Sequence, residues 1–385
     1  MWFQKLRLVG REILPIFQGG MGVGISAHRL AGAVAKEGAM GTIASIDLRH
    51  HHPDLLEQSE GKDRDLMDWA NHVALDREIK MAKEESQGNG LIAVNVMKAV
   101  RDHVALVKQA CESGADVVVM GAGLPLELPD LVQDHPDVGL IPILSESRGI
   151  GIVLKRWMRK SRLPSAIIIE NPAHAGGHLG APQLQDIGDE RFDFAKVIEG
   201  AQKIFEELGL GKDAPPLIVA GGIDSHEKVR HWLTEGGAQG VQLGTAFAVT
   251  AEGDAHPNFK EVLLNADPTD MEEFTSVAGL PARAVKTRWL KSYKLHEPKL
   301  QQTAKADPRR CVQAADCLTH CGLRDGISKW GQFCIDLKLI SALKGEVDKG
   351  LFFRGAGNLP FGNTVRSVHE LIEYLLSGVK PASLA

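Results

Sequence analysis

Residues 216–244 read PLIVAGGIDSHEKVRHWLTEGGAQGVQLG. Two apolar runs, 216–222 and 240–244, flank a segment whose pattern is helical from 226 to 235. Both runs are apolar continuously rather than alternately, as parallel strands are when helices cover both faces of their sheet. The stretch therefore predicts one complete β/α unit followed by the strand of the next.

The same unit recurs along the first 250 residues. Six further apolar runs occupy residues 15–18, 40–46, 91–96, 116–121, 139–144 and 165–170. Helical patterns separate them, and in the first of these Ser26 is placed to cap the helix and Gly38 to end it. Eight β/α repeats in about 250 residues predict an α/β fold, a TIM (β/α)8 barrel, rather than an open doubly wound sheet.

The pattern changes after the eighth run. Residues 251–344 are charged and contain helical tracts and several prolines, but no clear β/α repeat. The apolar loop and helix that follow are typical of a chain returning to its barrel. We therefore expect a barrel formed by residues 1–250 and 345–385, with a helical lid, 251–344, inserted after the eighth strand.

The composition, 44% hydrophobic and 24% charged residues, is ordinary for a soluble globular protein. A net charge of −5 with scattered basic residues gives no reason to expect nucleic acid or a membrane surface as partner. The five cysteines and the absence of a secretory h-region at the start favour reduced thiols in the cytoplasm. A homodimer is a further expectation, based only on the frequency of dimers among barrel enzymes.

Glycines follow the last two predicted strands. Gly221 and Gly222 end the seventh, and Gly244 with Thr245 ends the eighth. Glycines let backbone N–H groups approach an anion, and these two loops commonly form the phosphate site of a TIM barrel. Either motif alone is equally consistent with a tight turn; the pair favours a phosphate-bearing cofactor or substrate.

The first predicted strand ends in QGGMGVG, residues 18–24. This stretch resembles a degenerate dinucleotide-binding loop. Such a fingerprint needs an acidic residue at the end of the second strand, and the sequence has none there. In a barrel, Gly19 and Gly20 would instead let a flat ring lie against the backbone at the barrel mouth. Asn95, at the end of the third strand, could donate and accept hydrogen bonds to such a ring.

Five motifs in order, PIFQGGMGVGIS (15–26), AGGH (175–178), AGGI (220–223), VQLGT (241–245) and LPARAVKTRW (280–289), resemble nitronate monooxygenases. The related flavin-dependent enoyl-acyl-carrier-protein reductases share much of the pattern. The resemblance implies a TIM barrel with a lid, FMN as cofactor and His178 as the active-site histidine. The cofactor-binding residues that it implies are Gln18, Gly19, Gly20, Met21 and Asn95 at the ring, Gly176 and Gly177 before the histidine, and Ala220, Gly221, Gly222, Gly244 and Thr245 at the phosphate.

The resemblance implies an FMN-dependent monooxygenase that oxidises small alkyl nitronates, and as a wider option nitroalkanes, with O2 to a carbonyl compound and nitrite. The main alternative is an NAD(P)H-dependent FMN reductase acting on a quinone or an enoyl thioester. A non-catalytic flavin-binding protein and a flavin-free phosphosugar enzyme are further alternatives. A histidine has an unperturbed pKa of ~6.5, so His178 could hold a nitronate or deprotonate a nitroalkane.

His174 and a cysteine-bearing tail depart from the family pattern, and the chain has a second histidine cluster after the second predicted strand. We interpret His174 as a loop-packing residue and RHHHPD, residues 49–54, as a solvated loop. Four cysteines, Cys311, Cys317, Cys321 and Cys334, have a spacing that fits neither paired zinc ligands nor common iron–sulfur runs. We therefore expect reduced thiols and no metal site.

Overall fold

Eight parallel strands close into a barrel in the computed structural model, which describes residues 3–61, 63–311 and 317–382. Each strand lies on one of the predicted apolar runs, so the TIM-barrel prediction is confirmed. In chain order the barrel strands are β3 (Ile16–Gln18), β4 (Met40–Ala44), β5 (Leu91–Met97), β6 (Val117–Gly121), β7 (Gly139–Leu144), β8 (Ile167–Glu170), β10 (Leu217–Ala220) and β11 (Gly240–Leu243).

Helices surround the barrel, as expected for parallel strands joined by right-handed crossovers. Those between or after the strands are α1 (His28–Lys36), α2 (Pro53–Gln58), α3 (Arg64–Glu85), α4 (His103–Glu112), α5 (Leu128–Leu131), α6 (Ser147–Met158), α7 (Phe194–Glu207), α8 (His226–Thr234) and α9 (Thr245–Ala248). The large apolar cluster lies between these helices and the strands, while a smaller cluster fills the barrel interior.

An amino-terminal hairpin that the sequence did not reveal precedes the barrel. Its strands β1 (Leu6–Leu8) and β2 (Arg11–Ile13) are antiparallel. Leu8 and Ile13 are buried with the interior side chains of the barrel strands, among them Leu91 and Val117 at the start of their strands. The hairpin thus covers the amino-terminal end of the barrel and leaves the carboxyl-terminal end for a site.

The predicted cap of α1 is wrong, although Gly38 follows the helix as expected, with a φ of 85°. Ser26 Oγ accepts a hydrogen bond from Met21 N at 2.9 Å instead of capping. The first-turn amides donate to Asp254, whose Oδ2 lies 2.8 Å from Ala27 N. A carboxylate from a distant segment satisfies these donors as well as a local cap does. Its negative charge also interacts favourably with the positive end of the helix dipole.

The inserted segment after β11 is helical, and it also contains a β-hairpin that the sequence analysis did not anticipate. Its helices are α10 (Pro257–Asn265), α11 (Arg288–Gln302), α12 (Gly322–Asp325) and α13 (Ile335–Leu343). The hairpin strands β12 (Met271–Thr275) and β13 (Pro281–Val285) form an antiparallel sheet with the two-residue strand β9 (Gly177–His178). The division between barrel and lid at residues 251 and 344 stays a prediction.

The last helix, α14 (Val368–Ser377), packs against α1 and α8 and so completes the helical layer, as the sequence predicted. Ser367 and Glu370 form a capping box at its start, and Gly378 follows its end with a φ of 77°. Within the described ranges, none of the helices has the length and apolar content needed to cross a bilayer.

Candidate active site

A cavity of about 550 Å³ opens at the carboxyl-terminal end of the barrel, the end at which TIM barrels carry their sites. Twelve of the thirteen predicted site residues line it: Gly19, Gly20, Met21, Asn95, Gly176, Gly177, His178, Ala220, Gly221, Gly222, Gly244 and Thr245. The structure does not bring Gln18 to the cavity. Its side chain is buried in the barrel wall, where Oε1 accepts a hydrogen bond from Thr42 N at 2.8 Å.

Part of the cavity lining is glycine backbone, from Gly19, Gly20, Gly176 and Gly177. A Cβ built on Gly20 would lie 2.4 Å from Asn95 Cβ, and one built on Gly176 would lie 2.5 Å from the Arg354 carbonyl carbon. Real Cβ atoms do not approach so closely, so glycine is required at both positions. Backbone without side chains leaves room there for an aromatic ring, and the Asn95 amide, which also lines the cavity, can donate and accept hydrogen bonds.

The loops after the last two barrel strands offer free hydrogen-bond donors to the cavity. Gly221 and Gly222 have φ values of 102° and 74°, which only glycine adopts readily. Among the described residues, the amide groups of Gly222 and Gly244 donate to no backbone or side-chain acceptor. Lys228 Nζ lies 2.8 Å from the Gly222 carbonyl oxygen and 2.8 Å from Asp224 Oδ1. The ammonium group is thus paired with a carboxylate, and it is the two free amides that suit a phosphate.

His178 is held by the inserted segment. It pairs with Ala282 across β9 and β13, and Leu179 N donates to the Pro281 carbonyl at 2.9 Å. Its Nε2 atom lies 3.0 Å from Ser276 Oγ, and its ring centre is 5.7 Å from that of Phe353. Burial lowers the pKa of His178 to about 4, so the imidazole is neutral at physiological pH.

Arg283 connects the same hairpin to the chain just before His178. Its guanidinium is buried and donates to the Ala175 carbonyl oxygen, while Nε donates to Glu273 Oε1 at 3.1 Å. Arginine suits this position because its planar fork reaches two acceptors with fixed geometry. The arginine of the LPARAVKTRW motif therefore positions the loop of the AGGH motif.

The sequence analysis missed Ser276 and the acidic residues of the cavity. Glu170 ends β8 and faces the cavity, and burial raises its pKa to about 7. Asp336, from α13, is buried against Asp47. Glu170 had a signal in the sequence, since a charge that directly ends an apolar run marks the end of a buried strand. Ser276 and Asp336 had none.

His174 lies beside the predicted phosphate loop. A Cβ built on Gly222 would lie 3.0 Å from its Cγ atom, so the imidazole covers that glycine. Burial lowers the pKa of His174, and the charges of Lys228 and Arg283 lower it further. The residue is exposed overall and also lines the cavity, so its interpretation as a loop-packing residue stays a prediction.

The prediction of a solvated loop at 49–54 is wrong for residues 49–52, which are buried or half-buried, whereas Pro53 and Asp54 are exposed. Arg49 is 7% exposed, and His52 Nε2 lies 2.9 Å from Glu78 Oε1. The loop is buried because α3 presents Glu78, which also accepts from His28. Burial acts to raise the pKa of Glu78, but hydrogen bonds from the two histidines outweigh it and lower the pKa to about 2. The histidines therefore hold the structure together rather than bind a ligand.

The four cysteines of the inserted segment carry free thiols. Cys317 lines the cavity, and burial raises its pKa. No three His, Cys, Asp or Glu side chains in the part of the chain that the structure describes are arranged to hold a metal ion.

Comparison with known proteins gives a consistent result. The family model for nitronate monooxygenase matches residues 9–378. A probable nitronate monooxygenase of Bacillus subtilis (strain 168) is 29% identical over 286 residues, which are 72% of this chain and 77% of that protein.

Two solved structures share the fold. FabK from Thermotoga maritima has a TM-score of 0.65 and 22% identity and covers 94% of this chain and 91% of its own. Nitroalkane oxidase from Streptomyces ansochromogenes has a TM-score of 0.61 and 19% identity, with 94% of each chain covered. Since the family model spans nearly the whole chain, the protein belongs to the nitronate monooxygenase family and is a flavin-dependent oxidoreductase.

Proposed function

We propose that this protein is an FMN-dependent nitronate monooxygenase, which oxidises small alkyl nitronates with O2 to a carbonyl compound and nitrite. The observation that carries the proposal is a neutral His178 in the wall of a cavity of about 550 Å³, in a chain of this family. A neutral imidazole can donate one hydrogen bond to the oxygens of a nitronate without adding a full charge.

FMN is supported by the fit of the cavity walls to its two ends. In the proposal, the ring lies on the backbone of Gly19 and Gly20 beside Asn95. The phosphate is bound by the amides of Gly222 and Gly244, with Thr245 next to them. A side chain at Gly20 or Gly222 would fill that space, since the Cβ atoms would lie 2.4 Å from Asn95 Cβ and 2.9 Å from His174 Cβ. When bound, FMN supplies the electron acceptor and delivers electrons to O2.

The side chains of the protein bind and orient the substrate. Ser276 Oγ already accepts a hydrogen bond from Ala278 N at 3.2 Å, so its own proton is available to His178 Nε2. In the proposal this leaves the imidazole proton on Nδ1, from which it is donated to the substrate. Phe353 packs beside the imidazole, and apolar side chains such as Leu280 and Leu351 also line the cavity, so the local polarity is low, which strengthens such a hydrogen bond.

The test is a visible spectrum of the purified protein with FMN, followed by anaerobic addition of propyl nitronate. The proposal predicts loss of the flavin band, recovery in air and one nitrite released per nitronate consumed. A flavoprotein that ignores nitronate but loses its flavin band with NADPH would overturn the proposal in favour of the reductase. The cytoplasmic location and the homodimer stay predictions.

A further inference from the structure

The chain returns to the barrel after α13 through residues 355–358, which read GAGN and are called the GAGN segment below. Gly355 N donates a hydrogen bond to Thr245 Oγ1 at 3.1 Å, directly after β11. Asn358 N donates to Asp224 Oδ2 at 3.1 Å, in the loop that follows β10. The two ends of the segment are therefore fastened to the two loops to which the proposed function assigns the phosphate of FMN.

The middle of the GAGN segment leaves one amide group free. Ala356 N donates to a carbonyl oxygen of the loop after β8, whereas Gly357 N donates to no acceptor in the described parts of the chain. Gly357 lines the same cavity as Gly222 and Gly244, whose amides are also free. Three amides without an acceptor thus reach one cavity from three separate segments.

Glycine at position 357 lets the segment lie close to the loop after β10. A Cβ built on Gly357 would lie 3.0 Å from Asp224 Oδ2, a distance at which a neighbour must give way. The Asp224 carboxylate itself accepts from Asn358 N and lies 2.8 Å from Lys228 Nζ. Because it is paired with a cation, it repels a nearby anion less than an unpaired carboxylate would.

Two polar side chains add donors to those of the backbone. Thr245 Oγ1 accepts from Gly355 N, and its own proton has no acceptor within the described ranges. The Asn358 amide lines the cavity, and its Nδ2 atom donates to none of the described residues. Amide and hydroxyl donors that converge without an acceptor suit a phosphate, whose oxygens accept several hydrogen bonds at once.

We propose that the GAGN segment completes the phosphate site of FMN, with Gly357 N and the Asn358 side-chain amide as further donors. This inference rests on the proposed function, in which Gly222 and Gly244 supply the first two amides. The added donors bind the phosphate and not the ring. FMN therefore gains contacts from this segment that riboflavin, which has the same ring without the phosphate, does not.

The first test compares the binding of FMN and riboflavin, measured by flavin fluorescence. Asn358→Asp keeps the size of the side chain and brings a negative charge to the proposed phosphate. We expect the dissociation constant of FMN to rise at least about tenfold and that of riboflavin to change less than about twofold. Asn363→Asp, the same change at an exposed residue outside the cavity lining, should alter neither constant. Equal changes for the two flavins in Asn358→Asp, or no change for FMN, would overturn the proposal.

The second test locates the contact without a substitution. Hydrogen–deuterium exchange of the peptide that contains the GAGN segment is followed by mass spectrometry, with the protein saturated by FMN or by riboflavin. The Gly357 amide should exchange more slowly with FMN, because only the phosphate accepts its hydrogen bond. The same exchange rate with both flavins would overturn the assignment. Slower exchange with FMN in a protein that releases no nitrite from nitronate would contradict nitronate oxidation and leave the phosphate site standing.

Discussion

His178 Nε2 lies 3.0 Å from Ser276 Oγ, and 98 residues separate the two in the chain. One belongs to the loop after the sixth barrel strand and the other follows the first strand of the inserted hairpin. The serine fixes the direction of the imidazole, because a side chain that is hydrogen-bonded at one end loses rotational freedom. The inserted segment thus takes part in the site through a specific side chain.

Ser276→Ala should lower kcat/KM for nitronate roughly fivefold, since loss of one such hydrogen bond costs about 1 kcal/mol. We expect FMN affinity to stay within twofold, because the hydrogen bonds of Ser276 go to His178 and to its own hairpin and its neighbours rather than to the phosphate loops. Steady-state kinetics and a fluorescence titration of FMN measure the two effects. Ser113→Ala, in which the lost hydroxyl contacts Asp76 on the outer surface, is the control. An unchanged kcat/KM would show that His178 needs no such support.

Gly20→Ala should abolish or strongly weaken FMN binding. The new Cβ would lie 2.4 Å from Asn95 Cβ, so either the backbone or Asn95 must move from the surface proposed for the ring. We expect at least a tenfold rise in the FMN dissociation constant, measured by quenching of flavin fluorescence. Gly188→Ala is a matched control, since a Cβ at Gly188 meets no atom within 4 Å. Wild-type affinity in Gly20→Ala would place the ring elsewhere.

Arg283→Lys should loosen the loop before His178. Lysine keeps the charge but cannot donate to the Ala175 carbonyl and to Glu273 at once, as the arginine does. We expect a loss of about 1–3 kcal/mol in the free energy of unfolding and a lower kcat/KM. Chemical denaturation gives the first quantity and steady-state kinetics the second. Lys286→Arg, near Glu272 on the same hairpin, should change neither.

Glu78→Gln should destabilise the protein at pH 7 by on the order of 3 kcal/mol, the equivalent of the fall in its pKa from 4.5 to about 2. A carboxyl group with a lowered pKa stabilises the fold above its unfolded pKa. That stability is lost as the pH falls from 4.5 towards 2. Denaturation midpoints at pH 7 and pH 3 should therefore differ less in the variant than in the wild type. Glu84→Gln, exposed on the same helix, is the control.

The barrel could be predicted because each strand is a continuous apolar run and helices separate successive strands, which is a local property of the sequence. The glycines of the cavity could be predicted for a similar reason: Gly221 and Gly222 follow directly on a strand, and parallel strands end at one rim. The resemblance to a family added the role of His178.

Contacts between distant segments could not be predicted from the sequence. Asp254 caps α1 and Ser276 supports His178, yet neither residue has a local pattern that marks its partner. The loop at 49–54 was predicted to be solvated because it contains polar residues and the sequence does not show which distant residue contacts it. Its burial depends on Glu78, which is buried on the side of α3 that meets the loop.

The pairing of Gly177 and His178 with β13 has a consequence for how the protein is made and altered. A chain that stopped after β11 would contain all eight barrel strands and the glycines at both ends of the cavity. It would lack the strand against which His178 is aligned, and also Ser276 and Arg283. During synthesis, the histidine can therefore reach its working position only after the chain beyond residue 285 has left the ribosome. If the inserted segment were exchanged for that of a relative, the residues that position His178 and the residues that line the cavity from this segment would be replaced at the same time.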